Sequence, residues 1–141
     1  MTSVLDNFNK ILEEFILKSI SSFPEEPKIK TYYRMFELSK KYNKQLPIKL
    51  FMGGCLEFKE QIKSRDTEFF MNHEGFVNKC VKRTSFTDDM GLRNNWEKLN
   101  DDMKKNVWDY IQTLYVLGES YINNDPDILA DIHKTYETCE H

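Results

Sequence analysis

Between Asn100 and Asn123, apolar residues fall at helical intervals: Met103, Val107, Trp108, Tyr110, Ile111, Leu114, Leu117 and Tyr121. A stripe this wide must bury one face against other elements. It cannot be threaded as a strand, whose side chains alternate at every second residue. The spacing therefore predicts a helix over 101–123. Asn100 can cap its start, and Asp101 and Asp102 suit the positive end of its dipole. A chain committed to one long amphipathic helix needs others to cover it, and the same period recurs upstream. Val4, Leu5, Phe8, Ile11, Leu12, Phe15, Ile16 and Ile20 form a second stripe. Ser3 stands at its N-cap, and the helix must end by Phe23 because Pro24 disfavours helical geometry before it.

Three further helices follow from punctuation and period. One runs from about Lys28 to Tyr42, with Ile29, Tyr32, Tyr33, Phe36 and Leu38 on one side and Lys30, Arg34, Glu37 and Lys41 on the other. Asn43 to Gln45 is a break. Pro47 suits the first turn of the next helix, where a missing N–H costs nothing. Leu50, Phe51, Leu56, Phe58 and Ile62 would be its apolar face. Gly53-Gly54 predicts a kink, a turn or a close backbone contact there, at about 2 kcal/mol relative to two alanines. The last helix starts with Asp125 as cap and Pro126 at its first position, and carries Ile128, Leu129, Ile132 and Tyr136.

Residues 64–95 are the least regular. Ser64 or Asp66 can cap a short turn bearing Phe69, Phe70 and Met71, and a short strand can form at Gly75–Cys80 with no evident partner. Phe76, Phe86 and Trp96 would hold such a segment to the body, and Trp96 and Trp108 are expected in the core. The expected fold class is all-α: a single domain over 1–141, a bundle of five or six helices with a long irregular segment around 64–95. Its last residues, 137–141, would fray. Leu5, Phe8, Leu12 and Phe15 would face Val107, Ile111, Leu114 and Leu117 at the centre.

Aromatics make up 13% of the 141 residues, too many for a disordered chain. The three cysteines, Cys55, Cys80 and Cys139, are odd in number and widely spaced, so they build no disulfide framework. Residues 1–10 lack a basic start followed by an apolar run, and no stretch approaches the ~20 apolar residues that span a bilayer. These features predict an intracellular protein in a reducing compartment, without membrane contact.

The net charge of −3 hides a division. Residues 1–27 carry two basic and five acidic groups, residues 28–65 ten and three, and residues 66–141 eight and fifteen. The middle is thus +7 between flanks of −3 and −7. Lys28, Lys30, Arg34, Lys40, Lys41, Lys44 and Lys49, with Tyr32, Tyr33 and Tyr42 among them, are candidate contacts for nucleic acid or an acidic partner. The alternative use of these lysines is to coat two helices and pair with the acidic C-terminal half.

Chemistry leaves few marks. Met52-Gly53-Gly54-Cys55 lacks the Lys-Ser/Thr of a phosphate-binding loop, and no hydrolase, zinc-protease or kinase pattern is present. His133 and Glu137, four apart, make a single pair, which does not hold a metal because structural zinc wants four ligands at defined spacing; with Cys139 and His141 they read as a polar tail. Cys55, at a helix start and with His73 as the mid-chain histidine that could partner it, is the one candidate nucleophile. The pairs Asp88-Asp89 and Asp101-Asp102 read as turn and first-turn charges. No catalytic residue, cofactor or metal is assigned.

Two stretches resemble a known group. Phe8-Asn9-Lys10-Ile11-Leu12-Glu13-Glu14-Phe15-Ile16 runs into Ser22-Phe23-Pro24-Glu25. Later, Asn95-Trp96-Glu97-Lys98-Leu99 precedes Met103-Lys104-Lys105-Asn106-Val107-Trp108-Asp109-Tyr110-Ile111-Gln112-Thr113-Leu114. Together they resemble short helical proteins of the nucleocytoplasmic large DNA viruses, over about a third of the chain. The resemblance implies a viral protein of host cytoplasm, viral factory or virion, and brings no catalytic residues. The expected function is a non-enzymatic interaction protein, an adaptor or minor structural or assembly component with another viral protein as partner. The alternative is a nucleic-acid-associated protein using 28–65, and the third reading is a small thiol-dependent enzyme built on Cys55 and His73.

Overall fold

A computed structural model describes residues 3–72, 77–78 and 84–139. Helix α1 spans Val4–Ser22. The Ser3 hydroxyl accepts a hydrogen bond from the Asp6 amide at 3.0 Å, and the Phe23 amide closes the far end on the Ser19 carbonyl. Helix α2 spans Pro27–Tyr42 and α3 spans Leu46–Cys55, each with proline in its first turn. A 3-10 turn at Leu56–Phe58 leads into α4, Lys59–Lys63, and then α5, Thr67–Asn72. Of the two candidate caps for α5, Asp66 takes the role, its carboxylate accepting from the Phe69 amide at 3.0 Å.

Strand β1, Val77–Asn78, pairs antiparallel with β2, Thr84–Ser85, setting Val77 opposite Ser85 and Asn78 opposite Thr84. A strand near 75–80 was expected to stand alone; its described part has this partner. Gly75, Phe76 and Cys80 lie outside the described residues. Helix α6 is Phe86–Asp89, α7 is Leu92–Asn95, and a 3-10 turn covers Trp96–Lys98. Gly91 joins α6 to α7 at φ +67°, a conformation that strains a side chain, and a Cβ there would lie 2.9 Å from Glu26 Cγ. Helix α8 spans Asp101–Asn124, and α9 spans Pro126–Cys139. The Asn100 side chain caps α8 by accepting from the Met103 amide at 2.8 Å.

The class is all-α, with five helices of ten or more residues among the described ones. The described part of segment 64–95 consists of short helices of four to six residues and the β1–β2 pair. Helices α1 and α8 make the most extensive pairing, and α2, α3 and α9 close around them. Phe8, Leu12, Phe15, Ile111 and Leu114 are buried there, while Leu5, Val107 and Leu117 are only partly covered. Phe15 stacks on Tyr110 with ring centres 4.8 Å apart. Phe86 sits among three rings, 5.3 Å from Phe51, 5.9 Å from Tyr32 and 6.0 Å from Phe15. Each such pair adds about 0.5–1.5 kcal/mol beyond buried area. A short segment with little helix of its own is thereby pinned to the body. Both tryptophans are buried, and Trp108 donates from Nε1 to the Thr67 hydroxyl at 3.0 Å.

Two expectations are corrected. Gly53-Gly54 does not interrupt α3. The helix runs through both glycines to Cys55, and both are buried, as α3 packs against α1, α8 and α9. The break follows at Leu56, so Phe58 and Ile62 belong to later elements. Leu38 does not join the inner side of α2. It is 68% exposed, since Ile29 and Phe36 set the buried face and Leu38 falls nearly opposite.

Candidate functional site

The outer face of α2 carries two adjoining stripes. Lys30, Arg34 and Lys41 are exposed along one. Met35, Leu38 and Tyr42 lie at i, i+3 and i+7 along the other, 44%, 68% and 88% exposed. Single exposed apolar residues are ordinary, but a line of three bordered by cations is a surface with a chemical character.

Beyond Tyr42 the chain turns sharply into α3, and this corner is held from two sides. Asn9 on α1, 6% exposed, donates its amide to the Lys44 carbonyl at 3.0 Å. Gln45 donates from Nε2 to the Tyr121 hydroxyl on α8 at 2.8 Å. Inside the turn, Asn43 accepts from the Gln45 amide through its side chain and from the Leu46 amide through its carbonyl, both at 2.9 Å. The Asn9 Oδ1 atom is buried with no hydrogen-bond partner among the described residues, a cost of about 1–3 kcal/mol. The amide that fixes Lys44 is thus retained at an energetic penalty.

This corner and one face of α1 enclose an open basin of about 720 Å³. Asp6, Asn9, Lys10 and Glu13 line it from α1, and residues 40–44 from the corner. Lys40 pairs with Glu13 at 3.2 Å and lies over the Phe36 ring, so its charge is largely spent. Lys10, Lys41 and Lys44 are exposed and make no ion pair within 4 Å among the described residues. Lys10 lies outside the basic segment 28–65 and among acidic neighbours in sequence. No linear signal places it here; only the α1–α2 packing does.

The other expected contacts divide. Lys28, Lys30 and Arg34 project from α2 into solvent. Lys49 pairs with Asp131 at 3.4 Å and Lys59 with Glu119 at 3.1 Å. Arg65 bonds Asp109 at 2.6 Å and Gln112 at 2.7 Å. Its backbone is left-handed at φ 53°, so this network also holds a strained turn. Part of the positive middle therefore does neutralise the acidic C-terminal half. Most of the remainder lies on α2 and its corner, while Lys63 is exposed at the end of α4.

The thiol reading fails at its residue. Cys55 ends α3 instead of starting it, and it is fully buried, where desolvation pushes its thiol well above the ordinary value. A thiolate is therefore disfavoured, the reverse of what a nucleophile needs. His73 lies outside the described residues. Asp88 pairs with Arg93 at 3.3 Å, and the Asp89 carboxyl is pushed up mainly by burial and then by Asp88, with Lys28 opposing. Asp101 and Asp102 are exposed first-turn residues of α8. The side chains of His133, Glu137 and Cys139 and all of His141 fall outside the described set. Among the described residues no three His, Cys, Asp or Glu cluster as metal ligands, and no helix is long and apolar enough to cross a membrane.

No family model, curated protein or solved structure matches the chain.

Proposed function

We propose that this chain is a non-enzymatic interaction protein, an adaptor or minor structural or assembly component of a large DNA virus. It docks a second, acidic protein on the outer face of α2. The observation that carries this reading is the aligned exposure of Met35, Leu38 and Tyr42 beside Lys30, Arg34 and Lys41. Apolar anchors with a cationic border give a partner burial and register together. The viral setting rests on the two resembling stretches near the chain's ends. The test is affinity capture from infected cells with quantitative mass spectrometry, comparing the native chain with Leu38→Glu. A partner captured by the first and lost with the second supports the reading. A capture profile indifferent to Leu38→Glu, Arg34→Glu and Met35→Glu overturns it. Association with nucleic acid is the second reading, favoured by the three lysines around the basin at the α2–α3 corner that make no ion pair among the described residues.

A further inference from the structure

We infer that the basin between α1 and the α2–α3 corner is a binding site for single-stranded nucleic acid, with Lys10, Lys41 and Lys44 on phosphates and Tyr42 stacked on an unpaired base. This rests on the second reading above and gives it a place and a strandedness.

Three observations support it. First, the cations come from separate places in the chain, Lys10 from α1, Lys41 from the last turn of α2 and Lys44 from the corner, yet all line one concavity of about 720 Å³. None of the three makes an ion pair within 4 Å among the described residues, and the basin's Glu13 pairs with Lys40 instead. The formal charge of the lining is positive, with four lysines against Asp6 and Glu13. Second, Tyr42 is 88% exposed on the rim, the most exposed of the large apolar and aromatic side chains among the described residues. An aromatic ring beside a track of cations offers what a strand with splayed bases can use and a duplex with paired bases cannot. Third, the corner is preorganised. Asn9 grips the Lys44 carbonyl and Gln45 grips Tyr121, so Lys41, Tyr42 and Lys44 sit on a held backbone and binding orders only side chains.

Three phosphate contacts set a salt dependence. For single strands the slope of log K against log salt is about −0.7 per phosphate neutralised, or about −2 here. The experiment is fluorescence anisotropy of a labelled 12-nucleotide oligo(dT) with the full chain between 50 and 200 mM NaCl, with a 12-base-pair duplex as competitor and a labelled Glu-rich peptide titrated in parallel. The expected result is binding with a slope near −2 that falls by roughly 0.7 for each of Lys10→Gln, Lys41→Gln and Lys44→Gln. Tyr42→Ala should weaken binding roughly 5- to 150-fold, while Tyr42→Phe retains it. All four positions are exposed, and far-UV circular dichroism checks each variant's fold.

Binding that keeps its slope but ignores these substitutions, or a duplex that competes as well as oligo(dT), overturns the site and leaves the nucleic-acid reading standing. No binding at 50 mM NaCl overturns both. Direct binding of a labelled Glu-rich peptide, with no oligonucleotide bound, overturns both in favour of an acidic protein partner on this face.

Discussion

Gly118 lies in the middle of α8 and is buried against α3. A Cβ at this position would meet the Sδ of Met52 inside any tolerable contact and its Cγ at 2.7 Å. Met52 is itself fully buried, so its side chain has no solvent to swing into. Two effects then oppose each other in Gly118→Ala. Helix propensity favours alanine by about 1 kcal/mol. Overpacking costs about 1–3 kcal/mol, because the clash involves Cγ and Sδ and not merely the methyl tip. The net expectation is a loss of up to about 2 kcal/mol. In a chain near this size each kcal/mol moves the melting temperature by roughly 2–4 °C. Met52→Ala alone should cost about 2–5 kcal/mol by leaving a cavity. In that background the clash is gone, and Gly118→Ala should reverse sign and stabilise by about 1 kcal/mol from propensity. The assay is urea unfolding of the four proteins of this cycle, followed by tryptophan fluorescence. Stabilisation by Gly118→Ala in the native background, or additivity of the two changes, would refute the α3–α8 packing described here.

Other expectations are simpler to state. Asn100→Ala should cost about 1 kcal/mol in thermal unfolding, since it removes the acceptor for the Met103 amide; a loss below a few tenths would deny the cap its role. Cys55 should resist iodoacetamide in the native protein and react in denaturant, read by mass spectrometry of its peptide, because the buried thiol seldom ionises. The Asp109 carboxyl is held below its ordinary range, first by Lys105 and then by Arg65. A depressed acid contributes stability above about pH 4, lost as pH falls through its folded value. The melting-temperature difference between native protein and Asp109→Asn should therefore shrink between pH 6 and pH 2.5, and a difference constant with pH would contradict the pairing.

The long elements were legible because their signals are local. Ser3 and Asn100 mark helix starts through side-chain caps, Pro24 and Pro47 mark ends through backbone geometry, and the stripes around Phe8 and Ile111 follow from a period of 3.6 residues. The errors came where neighbours decide. Gly53-Gly54 reads as a breaker on propensity, yet α3 runs through both, its burial in the bundle outweighing about 2 kcal/mol of intrinsic cost. Leu38 reads as core by type, but its angle on α2 is set by Ile29 and Phe36. For the candidate site, Lys41, Tyr42 and Lys44 were visible as a charged, aromatic cluster in the linear chain. Lys10 was not, because its nearest chain neighbours carry no such pattern.

By itself the amino-acid order determined the helical class, the starts of the five long helices, and the division of charge into a positive middle and two negative flanks. Periodicity, capping and charge counts all act within a few residues. The tertiary structure alone decided which cations remain available. Ion pairs join residues far apart in sequence: Lys49 to Asp131, Lys59 to Glu119, Arg65 to Asp109. Those contacts consume part of the +7 segment, and the packing of α1 on α2 gathers Lys10, Lys41 and Lys44 around one basin.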